Sequence, residues 1–574
     1  MKDGRISKKI CLSILKKSWW LISIVLFLII SCSLLELVNP IIYKNIIDEI
    51  IPSKHTASLI IALILMVLFP WAVVLLSSLK NYILSILSTR FTGNLRKVCF
   101  DKCMHAKQEK LETIPSSQFA NRIMKECGKI GEVFLTNDLV TFASQLITLI
   151  SILITMLMFN VKLTLVCCIA FPISFLLSKF VASRNKSIDK QLIDHMEKGL
   201  NYLSNVLRKI KIIKLKNGFS AEHRRWQIWL DKYKNVKKRA SVVHNINRFL
   251  LSDLIVNLIY GILFFVAGVM VMKNQMTIGE LVLFISFIPK VYSSLRNVLN
   301  IKVSTAVINN SFEKIDEILE LEQERIDGIQ LDKINSVQLS NIDFSYSRGD
   351  FHLSNFDFDI KIGEKIGIVG TSGGGKSTIF ELITSLYTPQ EGCILINGDN
   401  ASSYSISSIR SRIAVVTQNF ELFNDSILNN LIYPSNEPNN EELSNVIKIV
   451  QLDNLISRLP EGLNTIVGED GDLFSGGEKQ RISIANALIH DSDIILLDEF
   501  TSALDAGTEK ELIENIIKIP DKAVVMISHR IYNIMMCDKV VVMENGKIVE
   551  SGCPRELLKN KDSKFSILYS NIIY

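Results

Sequence analysis

Charge of one sign is scarce in this 574-residue chain: 64 Lys and Arg stand against 58 Asp and Glu, a formal net charge of +6. That balance excludes the broad basic surface that DNA or RNA binding requires, so no nucleic-acid partner is expected. Paired cysteine spacing is also missing. Ten cysteines are scattered along the chain, some in apolar stretches (Cys32, Cys167, Cys168) and others in polar ones (Cys99, Cys103, Cys127, Cys393, Cys537, Cys553). Reduced thiols are expected rather than a disulfide framework. Cys99 and Cys103 sit four apart on an expected helix, but no His or second Cys pair accompanies them, so packing is expected and not metal. A cleavage site is lacking as well. The basic N-terminus mimics a signal peptide, yet the apolar run behind it is long and continues to Asn39-Pro40 without a small-residue motif, so it is read as retained.

What the chain has in excess is apolar residues, at 48% of the sequence, with a mean hydropathy of +0.28. They concentrate in the first half, where six runs approach the ~20 residues a spanning helix needs. These are Trp19 to Ile42, Ala57 to Leu79, Leu139 to Phe159, Leu163 to Val181, Phe249 to Met272, and Ile278 to Leu299. An even number of spans returns the chain to its starting side. Lys and Arg crowd the N-terminal segment (Lys8, Lys9, Lys16, Lys17) and the connections after spans two and four (Arg90, Arg96, Lys97; Lys209, Lys211, Lys214, Lys216, Lys237, Lys238, Arg239). The other connections carry little beyond Lys54 and Lys273. The positive-inside rule therefore places both termini and the second half of the chain in the cytosol.

The stretches Lys80 to Asp138 and Ala182 to Arg248 are long, helically periodic and poor in Gly and Pro, whereas Asn160-Val161-Lys162 is a tight turn. The long stretches read as spans extended into the cytosol that turn back near Glu109 to Phe119 and Lys211 to Ala221, placed to touch the second half. Residues 1–17 alternate Lys pairs with Ile and Leu before Trp19-Trp20, the pattern of an interfacial helix, with a solvated basic tail as the alternative. Ionisable residues within spans are functional candidates: Glu36, Asp253, Lys290 and Arg296. Lys290, just after Pro289, is placed either to face a central cavity and favour an anionic part of a cargo, or to snorkel with Arg296 to the headgroups.

The second half reads as a soluble α/β domain. After the apolar strand Lys365 to Val369 comes Gly370-Thr371-Ser372-Gly373-Gly374-Gly375-Lys376-Ser377-Thr378, opening a helical stretch. This is a phosphate-binding P-loop. Glycines let backbone N–H groups converge on phosphate oxygens, Lys376 supplies charge for the β/γ-phosphates, and the Ser377 hydroxyl is a Mg²⁺ ligand.

Downstream, Leu473-Phe474-Ser475-Gly476-Gly477-Glu478-Lys-Gln-Arg481 and Asp493-Ile-Ile-Leu-Leu-Asp498-Glu499 follow in order, and over essentially its whole length the chain resembles a half-size ABC exporter. The implied fold class is a six-helix α transmembrane domain of the ABC exporter fold followed by an α/β P-loop NTPase domain. Its expected boundaries are 18–320 for the membrane domain, 321–335 for a linker and 336–574 for the ATPase. The signature departs from the family pattern at Phe474, where Leu is usual, and at Glu478, where Gln is usual. Glu478 adds negative charge beside a helix start otherwise suited to an anion. By resemblance, Asp498 holds Mg²⁺ or its water, Glu499 is the general base, Gln418 is the loop glutamine that reaches Mg²⁺, and His529 is the switch histidine. Asp505 closes the inter-subunit loop Ser502 to Asp505, and Tyr346 fits the aromatic on which adenine stacks. Val467-Gly-Glu469-Asp-Gly471 resembles a loop that senses the cytoplasmic turns. Asn397-Gly398 and Asn545-Gly546 read as hairpin turns.

The resemblance implies ATP and Mg²⁺ as cofactors and a head-to-tail dimer in the cytoplasmic membrane, with ATP between Lys376 of one subunit and Ser475 to Gly477 of the other. A homodimer is the expectation and a heterodimer the alternative. The expected function is ATP-driven export of a peptide or other amphipathic cargo by alternating access. Lipid flipping, drug efflux, a nucleotide-gated channel and an importer on the same fold are the alternatives.

Overall fold

The computed structural model describes residues 6–168, 170–248, 255–346, 351–371, 373–435, 437, 439–468, 471 and 473–570, without most side chains of 169–186 and 247–256. Ser372, Asp253, Glu469 and Asp470 lie outside the described residues, as do the start of the fifth expected span and most side chains of the fourth. The chain separates into two compact units, Met1–Lys102 with Ser116–Glu320, and Cys103–Pro115 with Leu321–Tyr574.

The first unit is helical throughout its described residues. Among these, four helices are long and apolar enough to cross a membrane: Trp19–Ser53, Thr56–Met104, Val140–Phe159 and Ile278–Leu299; Tyr260–Met272 is apolar over a shorter run. The expected long extensions are single helices, with Thr56–Met104 spanning 49 residues and Ala170–Arg208 spanning 39. Phe219–Arg248 follows the short helix Ile210–Leu215. This second turn is clamped by stacked rings: Tyr202 on Trp226, Trp226 on Trp229 and Trp229 on Tyr233, at centroid separations of 6.0, 4.6 and 5.3 Å. Only the Tyr202–Trp226 stack crosses between the two helices, where Trp229 Nε1 also donates to the His195 carbonyl at 3.2 Å; the other rings stack along one helix.

The last helix of this unit, Ile278–Leu319, organises the others. Thr277 and Glu280 form a capping box at its start. Asp48 also binds there, accepting from Thr277 Oγ1 at 2.6 Å and Gly279 N at 2.9 Å. A carboxylate on exposed helix N–H groups is favoured by the positive end of the helix dipole. A core of Leu37, Ile152, Leu163, Leu263, Phe284, Phe287 and Ile288 packs around the same helix. The N-terminal helix Ile6–Lys16 docks at its far end, with Ser7 N donating to Asp316 Oδ1 at 2.8 Å and Lys8 Nζ 5.8 Å above the Phe312 ring. One face of that basic helix therefore packs on protein.

The second unit carries two sheets. The strands are β1 (Ser336–Ser345), β2 (His352–Lys361), β3 (Lys365–Gly370), β4 (Glu391–Ile396), β5 (Asp399–Asn400), β6 (Ile413–Val416), β7 (Ile494–Asp498), β8 (Ala523–Ile527), β9 (Lys539–Glu544) and β10 (Lys547–Gly552). One sheet runs β2-β1-β4-β5 and is antiparallel; the other runs β10-β9-β3-β8-β7-β6. β3, β7 and β8 are buried almost throughout, which their unbroken apolar runs require of parallel strands covered on both faces. Both Asn-Gly pairs form two-residue hairpin turns. Asn397 and Gly398 have φ of 54° and 91°, and Asn545 and Gly546 have 49° and 75°, between paired ends Ile396/Asp399 and Glu544/Lys547.

Candidate functional site

Strand register brings the scattered motifs to one crevice. Ile368 of β3 and Asp498 of β7 both lie opposite Ile527 of β8, so the P-loop and the paired carboxylates leave the sheet at one level. Val416 of β6 faces Leu497 of β7. Gln418 and Glu499 each follow two residues later, and His529 comes two residues after Ile527. The carboxyl ends of parallel strands are where ligands bind in open α/β sheets.

The phosphate loop needs its glycines at two places. At Gly370, with φ of 152°, a Cβ would lie 2.1 Å from the Met543 carbonyl oxygen; at Gly375, with φ of 91°, it would lie 2.3 Å from the Phe351 ring. Gly375 caps the helix Lys376–Ile383. Lys376 is buried, and its ammonium donates to the carbonyls of Gly370 at 3.0 Å and Thr371 at 2.9 Å. Burial draws its pKa down, opposed by the nearby charges of Glu499 and Asp498.

At the end of β7, burial raises the Asp498 carboxyl; a hydrogen bond with Ser377 pulls the other way, and Glu499 adds to the rise. Glu499 sits in the left-handed region at φ of 44°, fixed by its N–H to the Ile527 carbonyl at 3.0 Å. Strain of this kind, of order 1–3 kcal/mol, persists where surrounding structure enforces it. Its carboxylate is held from two sides. Gln418 Nε2 donates to Oε2 at 2.7 Å, and His529 Nε2 lies 3.0 Å from Oε1.

Behind His529 lies a buried network that the sequence did not suggest. Asn533 Nδ2 donates to Glu509 Oε1 at 2.9 Å, Ser528 Oγ at 3.0 Å and Thr501 Oγ1 at 3.3 Å, and Arg530 pairs with Glu509. It fixes the residues on both sides of the histidine. Four different segments contribute, so no local motif could have revealed it.

The signature departures have structural causes. Phe474 is buried in the core cluster that includes Val467, Ile482 and Phe500. Glu478 is the third residue of a capping box on the helix Gly476–Ile489, its carboxylate accepting from Ser475 N at 2.8 Å and Ser475 Oγ at 2.7 Å. The expected extra charge is therefore partly absorbed by the helix start itself. Asp505 likewise caps the helix Ala506–Ile517, accepting from Thr508 N at 3.0 Å and Gly507 N at 3.1 Å; these bonds hold its carboxyl below the usual range.

Tyr346 packs edge-on to Phe344 and Tyr387, at centroid distances of 5.0 and 5.3 Å. Its hydroxyl bonds Thr378 Oγ1 at 2.8 Å and Glu381. Burial, with Glu381 accepting from the hydroxyl, pushes the phenol well above its ordinary range. Tyr387 in turn donates to Glu112 Oε1 at 2.5 Å. Glu112 belongs to the turn Cys103–Pro115, so one of the two expected cytoplasmic turns does meet the nucleotide-binding fold within this unit. Lys290 does not stand alone: it pairs with Glu36 of the first span at 3.5 Å.

Known proteins extend this picture. The family described as ABC transporter transmembrane region matches residues 22–295, and the family described as ABC transporter matches residues 353–502. An ATP-dependent lipid A-core flippase of Pectobacterium atrosepticum is 28% identical over 83% of this chain and 83% of its own length. The protein of that name from Escherichia coli K12 is 28% identical over 84% of each. A bacterial Atm1-family ABC exporter solved with ATP bound superposes with a TM-score of 0.83 at 23% identity, covering 96% of this chain and 99% of that one. With the membrane region and the ATP-hydrolysing domain fused in one polypeptide on this fold, the chain belongs to the ABC transporters as a half-size exporter.

Proposed function

We propose that the chain dimerises, as two identical copies, in the cytoplasmic membrane with six spans per copy and the ATPase in the cytosol, and drives an amphipathic, lipid-like cargo outward. The observation that carries this reading is the Glu499 carboxylate, positioned by Gln418 at 2.7 Å and His529 at 3.0 Å beside the P-loop of a chain that also has membrane helices. A general base must be aimed before it is useful, and two partners do that here. Lys376 holds the β/γ-phosphates, Tyr346 offers a ring face to adenine, and His529 places a second nitrogen near the γ-phosphate. Ser475 to Gly477 of the opposing copy present a hydroxyl and helix N–H groups to the same anion.

Ser377, Asp498 and Gln418 fit Mg²⁺. All three supply hard oxygen donors, and Asp498 carries negative charge at a cost in burial that a divalent cation would offset. Held by these residues, the ion would supply positive charge against the phosphate oxygens of the nucleotide. Closure of two ATPase domains on ATP shifts the membrane helices, and hydrolysis returns them. The relatives named as flippases turn the cargo expectation from peptide toward lipid.

Glu499→Gln tests the reading. In proteoliposomes it keeps ATP affinity while steady-state hydrolysis and lipid translocation fall at least about 100-fold, the range general-base loss produces. Wild-type turnover in that variant would refute the role of Glu499, and ATP hydrolysis with no vectorial movement of any amphiphile would refute transport.

A further inference from the structure

Two charged side chains meet in the membrane half where the spans are otherwise apolar. Lys290 Nζ lies 3.5 Å from Glu36 Oε2 and also donates to the Glu36 main-chain oxygen at 3.3 Å. The second bond has a covalent origin. Pro40 lies inside the first helix, four residues after Glu36, and has no N–H, so the Glu36 carbonyl loses its helical donor and Lys290 supplies one. At 1.5 Å per residue, Glu36 is about 14 Å from the helix end at Asn45 and Lys290 about 18 Å from Ile278, so neither is at the rim of its span.

Their neighbours Leu37, Phe287, Ile288 and Val291 are buried in the helix core, yet the side chains of Lys290 and Glu36 are 39% and 38% exposed. A charged pair at this depth is tolerated because its members neutralise each other, and its exposed side is the one a further polar group can reach. On that open side the ammonium has three donors and the carboxylate about four acceptor positions, more than their mutual contacts consume.

We propose that the Glu36 and Lys290 pair recognises a zwitterionic head group, an anionic oxygen group and an ammonium carried on one amphipathic cargo; this rests on the transport reading above. The cargo's ammonium takes the carboxylate of Glu36 and its anion takes Lys290, so one ion pair becomes two and no net charge enters the cavity. A purely anionic amphiphile meets Glu36 as a like charge, and a purely cationic one meets Lys290. Selection by repulsion of the wrong head group is as effective as attraction of the right one.

The test is cargo-stimulated ATPase of the full chain in neutral maltoside micelles, each variant normalised to its own unstimulated rate. Probes are phosphatidylethanolamine, phosphatidylglycerol and a dialkylamine with matched chains, and an amphipathic peptide with free, acetylated or amidated termini. The lipid and peptide arms separate the two sources of the same head-group chemistry. Wild type is half-saturated by the zwitterionic member of at least one arm at about tenfold lower concentration than by the singly charged members. Glu36→Gln moves the preference to the anionic probe and Lys290→Met to the cationic one. The double variant Glu36→Lys/Lys290→Glu, which restores an ion pair between the helices though not the bond to the main-chain oxygen of residue 36, regains the zwitterion preference. An unchanged ranking in both single variants, or a wild-type preference for an anionic probe, overturns the proposal while leaving transport standing. Absence of stimulation by every probe overturns the transport reading and this one with it.

Discussion

The contact most able to carry information to the nucleotide site is the hydrogen bond from Tyr387 to Glu112, and Tyr387→Phe removes it with little change in volume. Tyr387 is 7% exposed and keeps its ring contacts with Phe344 and Tyr346 as Phe, so packing survives. What is lost is a 2.5 Å bond to a carboxylate. Bonds to charged groups contribute about 1.5–3 kcal/mol net, but Glu112 is solvent-exposed and water replaces much of the loss, leaving about 1 kcal/mol. That energy corresponds to a factor of about 5 in an equilibrium between coupled and uncoupled states. The assay is ATPase in nanodiscs with and without a stimulating amphiphile. Unstimulated kcat stays within about twofold, because no group touching phosphate has changed, while the stimulation ratio falls about fivefold. Glu112→Gln, whose amide oxygen still accepts from the phenol, retains about half of the stimulation. The two single variants and Tyr387→Phe/Glu112→Gln form a cycle whose coupling energy should be about 0.4 kcal/mol, the loss that Glu112→Gln causes only while the phenol is present. Equal loss of basal and stimulated rates, or additive variants, would refute the idea that this bond links the turn to the aromatic cluster under Tyr346.

Three further outcomes follow from the same geometry. Asn533→Leu leaves Glu509 Oε1 without its buried donor while Arg530 keeps its bonds to Oε2 and to the Ser528 hydroxyl, and should cost about 1–3 kcal/mol, read as a fall of roughly 6 °C in Tm of the ATPase fold with a lower kcat. Gly370→Ala drives a Cβ to 2.1 Å from the Met543 carbonyl and should cost more than about 3 kcal/mol, abolishing nucleotide binding in a filter or fluorescence assay. Glu478→Gln keeps the capping acceptor and removes the charge, so the KM for ATP should fall about two- to fivefold, the size of a helix-terminus charge effect, with thermal stability unchanged.

The parts of this site that could be read from the chain are those whose chemistry is local. A P-loop is nine consecutive residues, an Asn-Gly turn is two, and a buried parallel strand announces itself by an unbroken apolar run such as Ile494 to Leu497. Their assembly was also implied, since Gly370 and Asp498 end parallel strands, Gln418 and His529 follow others by two residues, and such ends can share only one edge. The illegible part is pairing across long separations. Nothing near Glu36 signals Lys290, 254 positions away, and nothing near Glu112 signals Tyr387, 275 positions away. For the first pair the sequence displays two ionisable groups that look costly within spans, and only tertiary packing shows that each partners the other; for the second, only packing shows that an exposed carboxylate meets a buried phenol. Glu478 teaches the same lesson at short range: judged as a charge beside an anion site it looks like a defect, but judged as the third residue after Ser475 it is half of a capping box. A single position thus has two physical roles, and the local one is satisfied before the ligand arrives. Any gain from removing the charge therefore requires that the cap be preserved, which is why Gln, and not Ala, is the informative replacement there.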